Sequence, residues 1–159
     1  MTVSVDSRSA TLEWSESCNA NDSLTSGTDS LMRVKSGPAG SHAISGSWVV
    51  ARRLSLSSNA LVITLKLTPG TFSFADPTGQ SYVARLDGAR TTIQGDLSRT
   101  AVSVRRLDAR TLEEVDSHGG KIDEVVRYVL VNDSTMTIST ENKEQGSLRR
   151  FPAHKQSRP

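Results

Sequence analysis

Cysteine occurs once in the 159 residues, at Cys18, so no intrachain disulfide can form and the thiol count does not fix the redox compartment. A lone thiol gives no zinc framework, and His42, His118 and His154 are scattered without ligand spacing, so no metal and no other cofactor is expected. Aromatic residues make up only 4% of the chain, which leaves few stacking platforms for bases. The net charge of +2 is too slight to imply a phosphate backbone as partner, so nucleic acid is not expected. No apolar run approaches the roughly 18 residues of a membrane helix. Met1-Thr2-Val3-Ser4-Val5-Asp6 has neither the basic start nor the apolar stretch of a leader, which makes the cytoplasm the default compartment for the chain as it stands. Helical periodicity is missing as well, since nothing beyond a few residues repeats at 3.6.

What the chain does contain is short strands. From Gly46-Ser47-Trp48-Val49-Val50 onward, Trp48, Val50, Leu54 and Leu56 alternate with Ser47, Val49, Arg53 and Ser55, the period of a half-buried strand. Arg52 interrupts the apolar face, so either a bulge or an inward arginine with a carboxylate partner is required there. Leu61, Ile63, Leu65 and Leu67 form the cleanest alternation. Pro69-Gly70 then suits a type II turn, Phe72 and Phe74 flank Ser73, and Tyr82, Ala84 and Leu86 make the next inward set. Asp87-Gly88 reads as a type I′ hairpin and Gly119-Gly120 as a second two-residue turn. Strands around Val102 and Val104, Val125 to Val131, Met136 to Ile138 and Leu148 to Phe151 complete the series. Before Trp48, residues 1 to 35 read as one hairpin with a long polar tip, and Gly37-Pro38-Ala39-Gly40 as its linker.

Eight to ten short strands joined by tight turns fit an up-and-down barrel or a two-sheet sandwich, and consecutive hairpins without long crossings favour the barrel. The expectation is therefore an all-β, antiparallel up-and-down β-barrel over 39–155, with an N-terminal β-hairpin extension and linker at 1–38 and a tail at 156–159.

Gly46-Ser47-Trp48 is similar to the G-x-W element of lipocalins. The stretches Gly37 to Trp48, Pro77 to Gly88 and Val102 to Arg106 together resemble a family of uncharacterised bacterial lipocalin-like proteins across most of 37–155. The resemblance implies a periplasmic or secreted barrel of no assigned activity, with Arg149 or Arg150 packed over Trp48. Relatives often carry tandem copies. Here Val5-Asp6-Ser7 with Ala10-Thr11-Leu12 parallels Val131-Asn132-Asp133-Ser134 with Met136-Thr137-Ile138, so the N-terminal segment resembles the last hairpin of an earlier copy.

The one constellation with chemical interest is Glu113-Glu114, Asp116, His118 and Asp123-Glu124 around the Gly119-Gly120 turn, an acid/base or cation site on paper. Acidic residues beside a hairpin tip are ordinarily solvated, and no nucleophile elbow accompanies them, so no enzyme is expected. The expected function is non-enzymatic binding of a small apolar molecule inside the barrel, on Trp48, Leu61, Ile63, Leu65, Phe72, Phe74, Tyr82 and Val129. The alternative is a structural or interaction barrel whose interior those same side chains fill. A homodimer through the N-terminal hairpin is the remaining partner expectation, because an isolated hairpin is marginal in water.

Overall fold

The computed structural model describes residues 1–17 and 21–156; Cys18 lies outside them. The chain is all-β and antiparallel, with one 3-10 turn at Ser58–Ala60. It divides into two compact units, one from Met1 to Val62 with Asp76–Thr78, the other from Ile63 to Ala75 and from Gly79 onward.

The first unit is a four-stranded sheet in the order β1 (Thr2–Val3), β2 (Ser9–Glu16), β3 (Thr25–Ser36), β4 (Gly46–Leu56). The expected hairpin is present as β2 and β3; β4 pairs along the outer edge of β3, and β1 covers β2 only at Ala10 and Thr11. Asp6 starts β2 by accepting the Arg8 amide at 3.0 Å in an Asx turn. The sheet's centre is a buried carboxylate, Asp29, gripped by Arg53 Nε at 2.8 Å and by Trp14 Nε1 at 3.1 Å. Of the two alternatives at Arg52 the structure takes the bulge, because Leu31 pairs with Val50 whereas Ser30 pairs with Arg52, and Arg52 is exposed; the arginine held by a carboxylate is its neighbour Arg53.

The strand bearing Trp48 does not open a barrel. It is β4, and Arg33 is the cross-strand partner of Trp48. The Arg33 guanidinium stacks 4.0 Å from the Trp48 ring centroid, filling the place expected for Arg149 or Arg150. Trp48 is half-buried rather than enclosed, and its indole N–H donates to the Ile44 carbonyl at 2.9 Å.

In the second unit, β5 (Thr64–Thr68), β6 (Thr71–Ala75) and β7 (Ser81–Arg85) form a three-stranded sheet. A six-stranded sheet follows in strict sequence order, β8 (Asp87–Thr92), β9 (Ala101–Arg106), β10 (Thr111–His118), β11 (Lys121–Asn132), β12 (Thr135–Asn142) and β13 (Ser147–His154). Ser81 and Gln94 join the two sheets by a reciprocal backbone pair, at 3.0 and 2.8 Å. The up-and-down order is thus present. Closure is not, because among the described residues β5 and β13 have no strand on their outer edges.

Period-two alternation builds the core of this unit. Phe72, Tyr82, Ala84, Val102, Val104, Val126, Tyr128 and Ile138 form one buried cluster, with Leu65, Phe74, Leu86, Ile93, Leu112 and Met136 packed around it. Each fully buried side chain of this size contributes roughly 1.5–3 kcal/mol. The expected long strand from Leu61 is cut short. Ala60 and Leu61 bond back to Ser57 and Ser58, so the chain is turning where the alternation would extend it. At the far hairpins, Gly119 and Gly120 both take positive φ as a type I′ turn requires. Asp87 does not, so the Asp87-Gly88 reversal is not type I′.

Candidate functional site

Strand β10 carries Leu112, Glu114 and Asp116 on the core side of the second unit's sheet. The cause is register: Glu114 is paired with Val104 on β9 and Val126 on β11, both buried, so its carboxyl is flanked by valines rather than water. Glu114 is only 5% exposed. Its Oε2 accepts the Tyr128 hydroxyl at 2.8 Å and the Tyr82 hydroxyl as well. Aromatic packing aims both hydroxyls: Tyr82 stacks on Phe74 with centroids 5.4 Å apart, and Tyr128 packs against Phe72 at 5.5 Å. Asp116 lies one pleat further along, paired across the sheet with Val102 and Glu124, and its Oδ1 is enclosed without a hydrogen-bond partner.

Burial dominates the electrostatics. It pushes the Glu114 carboxyl above its ordinary range, against the pull of the two tyrosine hydroxyls. It raises Asp116 to about 8, with the Glu114 charge adding to the rise. Glu124 is raised by the same cause, opposed by Arg149. Tyr82 and Tyr128 are likewise held protonated, by burial first and by the Glu114 charge second. Among the described residues the ion pairs are Arg53–Asp29, Arg85–Asp87, Arg127–Glu113 and Lys143–Glu141, and none reaches Glu114 or Asp116. Burial thus favours the protonated form at both carboxyls, and at neutral pH Asp116 keeps its proton. The arrangement offers hydrogen-bond acceptors inside an apolar wall. Neither tyrosine is a phenolate, because burial and the Glu114 charge hold both hydroxyls protonated.

This overturns the solvated reading of the acidic group. Glu113 does remain outside, bonded by Arg127 Nε at 3.0 Å and Nη2 at 2.8 Å. Glu114 and Asp116 do not. The alternation Leu112, Glu114, Asp116 shows that the three share a face, and only the buried partners Val104 and Val126 show that the face is the inner one.

Of the expected ligand-binding residues, the structure brings Leu65, Phe72, Phe74 and Tyr82 together at this cluster. It does not bring the others. Leu61 is 65% exposed beyond the 3-10 turn, Ile63 is exposed before β5 begins, and Trp48 belongs to the first unit's sheet. Val129 points away from the core because its neighbours Tyr128 and Val126 point into it; the Val125–Val131 run is apolar on both faces, so its inward set cannot be read from period two. None of the eight lines the two clefts described here. One of these, about 480 Å³, lies beside Arg8, Lys35 and His42 in the first unit. Its central cation, Arg33, is consumed by the carbonyls of Ser7, Ala43 and Ser45.

Among the described residues no group of three or more histidine, cysteine, aspartate or glutamate side chains is arranged to hold a metal ion, and no helix is long and apolar enough to cross a membrane. Comparison of the chain with protein-family models, with curated proteins and with solved structures finds no match in any of the three.

Proposed function

We propose that the second unit is a non-enzymatic binding module, lipocalin-like in its strand order, for a small, mostly apolar molecule that carries a hydrogen-bond donor. The observation that carries this reading is the enclosed, unpartnered Oδ1 of Asp116 beside Glu114. A buried acceptor left unsatisfied costs about 1–3 kcal/mol, and a bound N–H or O–H would recover it. The partly buried side chains packed on the core cluster, Leu65, Phe74, Leu86, Ile93, Leu112 and Met136, would supply the apolar wall. Few polar groups set in a mostly apolar lining is the usual composition of a small-molecule site.

A second reading has its own observation. Val102 and Val104 are fully buried and Phe72 is 2% exposed, so side chains already fill much of the interior, as in a structural or interaction module that takes no ligand. Titration with N-phenyl-1-naphthylamine, an apolar dye with one N–H donor, separates the two. The binding reading expects saturable fluorescence at about 10 µM dye or below, weakened by Phe74→Ala and by Asp116→Asn. A signal that only rises in proportion to dye concentration would leave the filled module as the function.

A further inference from the structure

We propose that the opposite face of the same sheet carries a second site, for a small organic oxyanion held between Arg90 and Arg105: a carboxylate or phosphate monoester bearing a short apolar part. Alternation places Ser103 and Arg105 of β9, and Val115 of β10, on the side away from the core, since Val102, Val104, Glu114 and Asp116 face inward. A cleft of about 280 Å³ opens there, lined by Arg90, Ser103, Arg105, Val115 and Ile122 among others, with one carboxylate, Glu113, also on its wall. Its origin is the row Arg90, Ser103, Val115 across three strands, in which a short side chain sits between longer ones. The size suits a ligand smaller than the usual drug-sized occupant, since such pockets run from about 300 Å³ upward.

Charge accounting makes the cleft specific. Arg105 lies in register between Asp87 and Glu113, the two carboxylates that would neutralise it. Both are already taken: Asp87 pairs with Arg85, and Glu113 accepts two bonds from Arg127. Among the described residues neither Arg90 nor Arg105 has an ion-pair partner. Arg105 is also positioned. Gly88 has a φ of 84°, and a Cβ there would fall 2.5 Å from Arg105 Nε, so the glycine lets the arginine lie flat along β8 at the cleft's rim. Guanidinium forks match carboxylate and phosphate oxygens in pairs, and Val115 with the exposed Ile122 offers the apolar wall for the rest of the molecule.

The test is amide NMR of the full chain titrated with hexanoate, with phenyl phosphate and with hexylamine, at constant ionic strength. The site expects saturable shifts at Arg90, Ser103, Arg105 and Val115 with either anion and none with the amine. The tighter of the two anions identifies the head group. Arg90→Gln and Arg105→Gln should each weaken binding about tenfold. Gly88→Ala should weaken it without removing a charge, and Arg99→Gln should not change it. Shifts that stay linear to about 20 mM, far above useful affinity, would overturn the proposal. So would shifts spread evenly over the surface arginines, or an Arg105→Gln variant that binds as before with its amide dispersion intact.

Discussion

At the scale of single residues, Glu114 and Asp116 set the pH response. Both carboxyls bind a proton more tightly folded than unfolded, so the folded chain takes up protons between the ordinary carboxylate range and about pH 8. Their penalty is absent at the acid end of that window and grows as pH rises through it. Asp29, Asp87 and Asp108 run the other way: hydrogen-bond partners hold them low, and their contribution is lost as pH falls below the ordinary carboxylate value. Stability should peak on the mildly acidic side of neutrality. Urea unfolding should show a higher midpoint near pH 5.5 than near pH 8.5, by on the order of 2 kcal/mol, and Asp116→Asn should flatten the difference. A midpoint that rises toward alkaline pH would contradict burial that favours the protonated form at both carboxyls. Packing gives a second residue-scale expectation. Phe72→Ala should cost about 3–5 kcal/mol, whereas Val83→Ala, next to Tyr82 but facing solvent, should stay within about 0.5 kcal/mol.

Asp116 also marks how far a sequence can be read at this scale. The acidic residues near Gly119-Gly120 are conspicuous in the chain, and so is their even spacing. What period two cannot tell is which of two adjacent faces is buried when each carries both charge and apolar groups: Glu113 and Val115 on one, Leu112 and Glu114 on the other. Only the partners across the sheet, Val104 and Val126, decide it, and these are fixed by register. Tyr82 was legible as inward and its acceptor was not, because 32 residues separate it from Glu114.

At the scale of elements, strand chemistry was easier to read than strand partnership. The turns at Pro69-Gly70 and Gly119-Gly120 stand where their residues put them, since glycine at positive φ is a local requirement. The Trp48 strand was legible as a strand but not as a neighbour of β3, because an extended strand shows nothing of which edge it will join. Edge management shows in β13. Its Lys155 amide bonds back to Ser134, and the alternation of antiparallel bonds then turns the position of Pro152's missing N–H toward the free edge. Proline there removes a donor that an incoming strand would use. Pro152→Thr should restore it, and light scattering should then report concentration-dependent association that the parent chain lacks. An unchanged mass would mean that Arg149 and Arg150 or another feature blocks this edge. A second copy pairing through the N-terminal sheet would have the outer edge of β4 to use, and β2 beyond Thr11, since β1 pairs with β2 only at Ala10 and Thr11.

At the scale of the whole molecule, the two units are unequal in what they bury. The hydrophobic cluster belongs wholly to the second, while the first rests on Ala10, Leu31 and the Asp29 grip. Hydrogen exchange on the full chain should accordingly be slowest over Val102–Val104 and Val125–Tyr128, and faster across β1 and β2. Equal protection in both sheets would show that the first unit's stability does not come from its buried side chains.

The join at Ser81 and Gln94 has a mechanical consequence. A long sheet resists opening because its ladder must break rung by rung, but here β7 meets the chain just past β8 at one bridge, Ser81 to Gln94, so the second unit has a tear line already cut. The stitch across it is Tyr82, which sits beside Ser81 on one side and reaches Glu114 on the other. Tyr82→Phe would leave the ring and remove the thread. The Ser81 and Gln94 amides should then exchange faster while those at Val102 and Val104 keep their rates, and this would place water's way into the interior at the joint between the sheets.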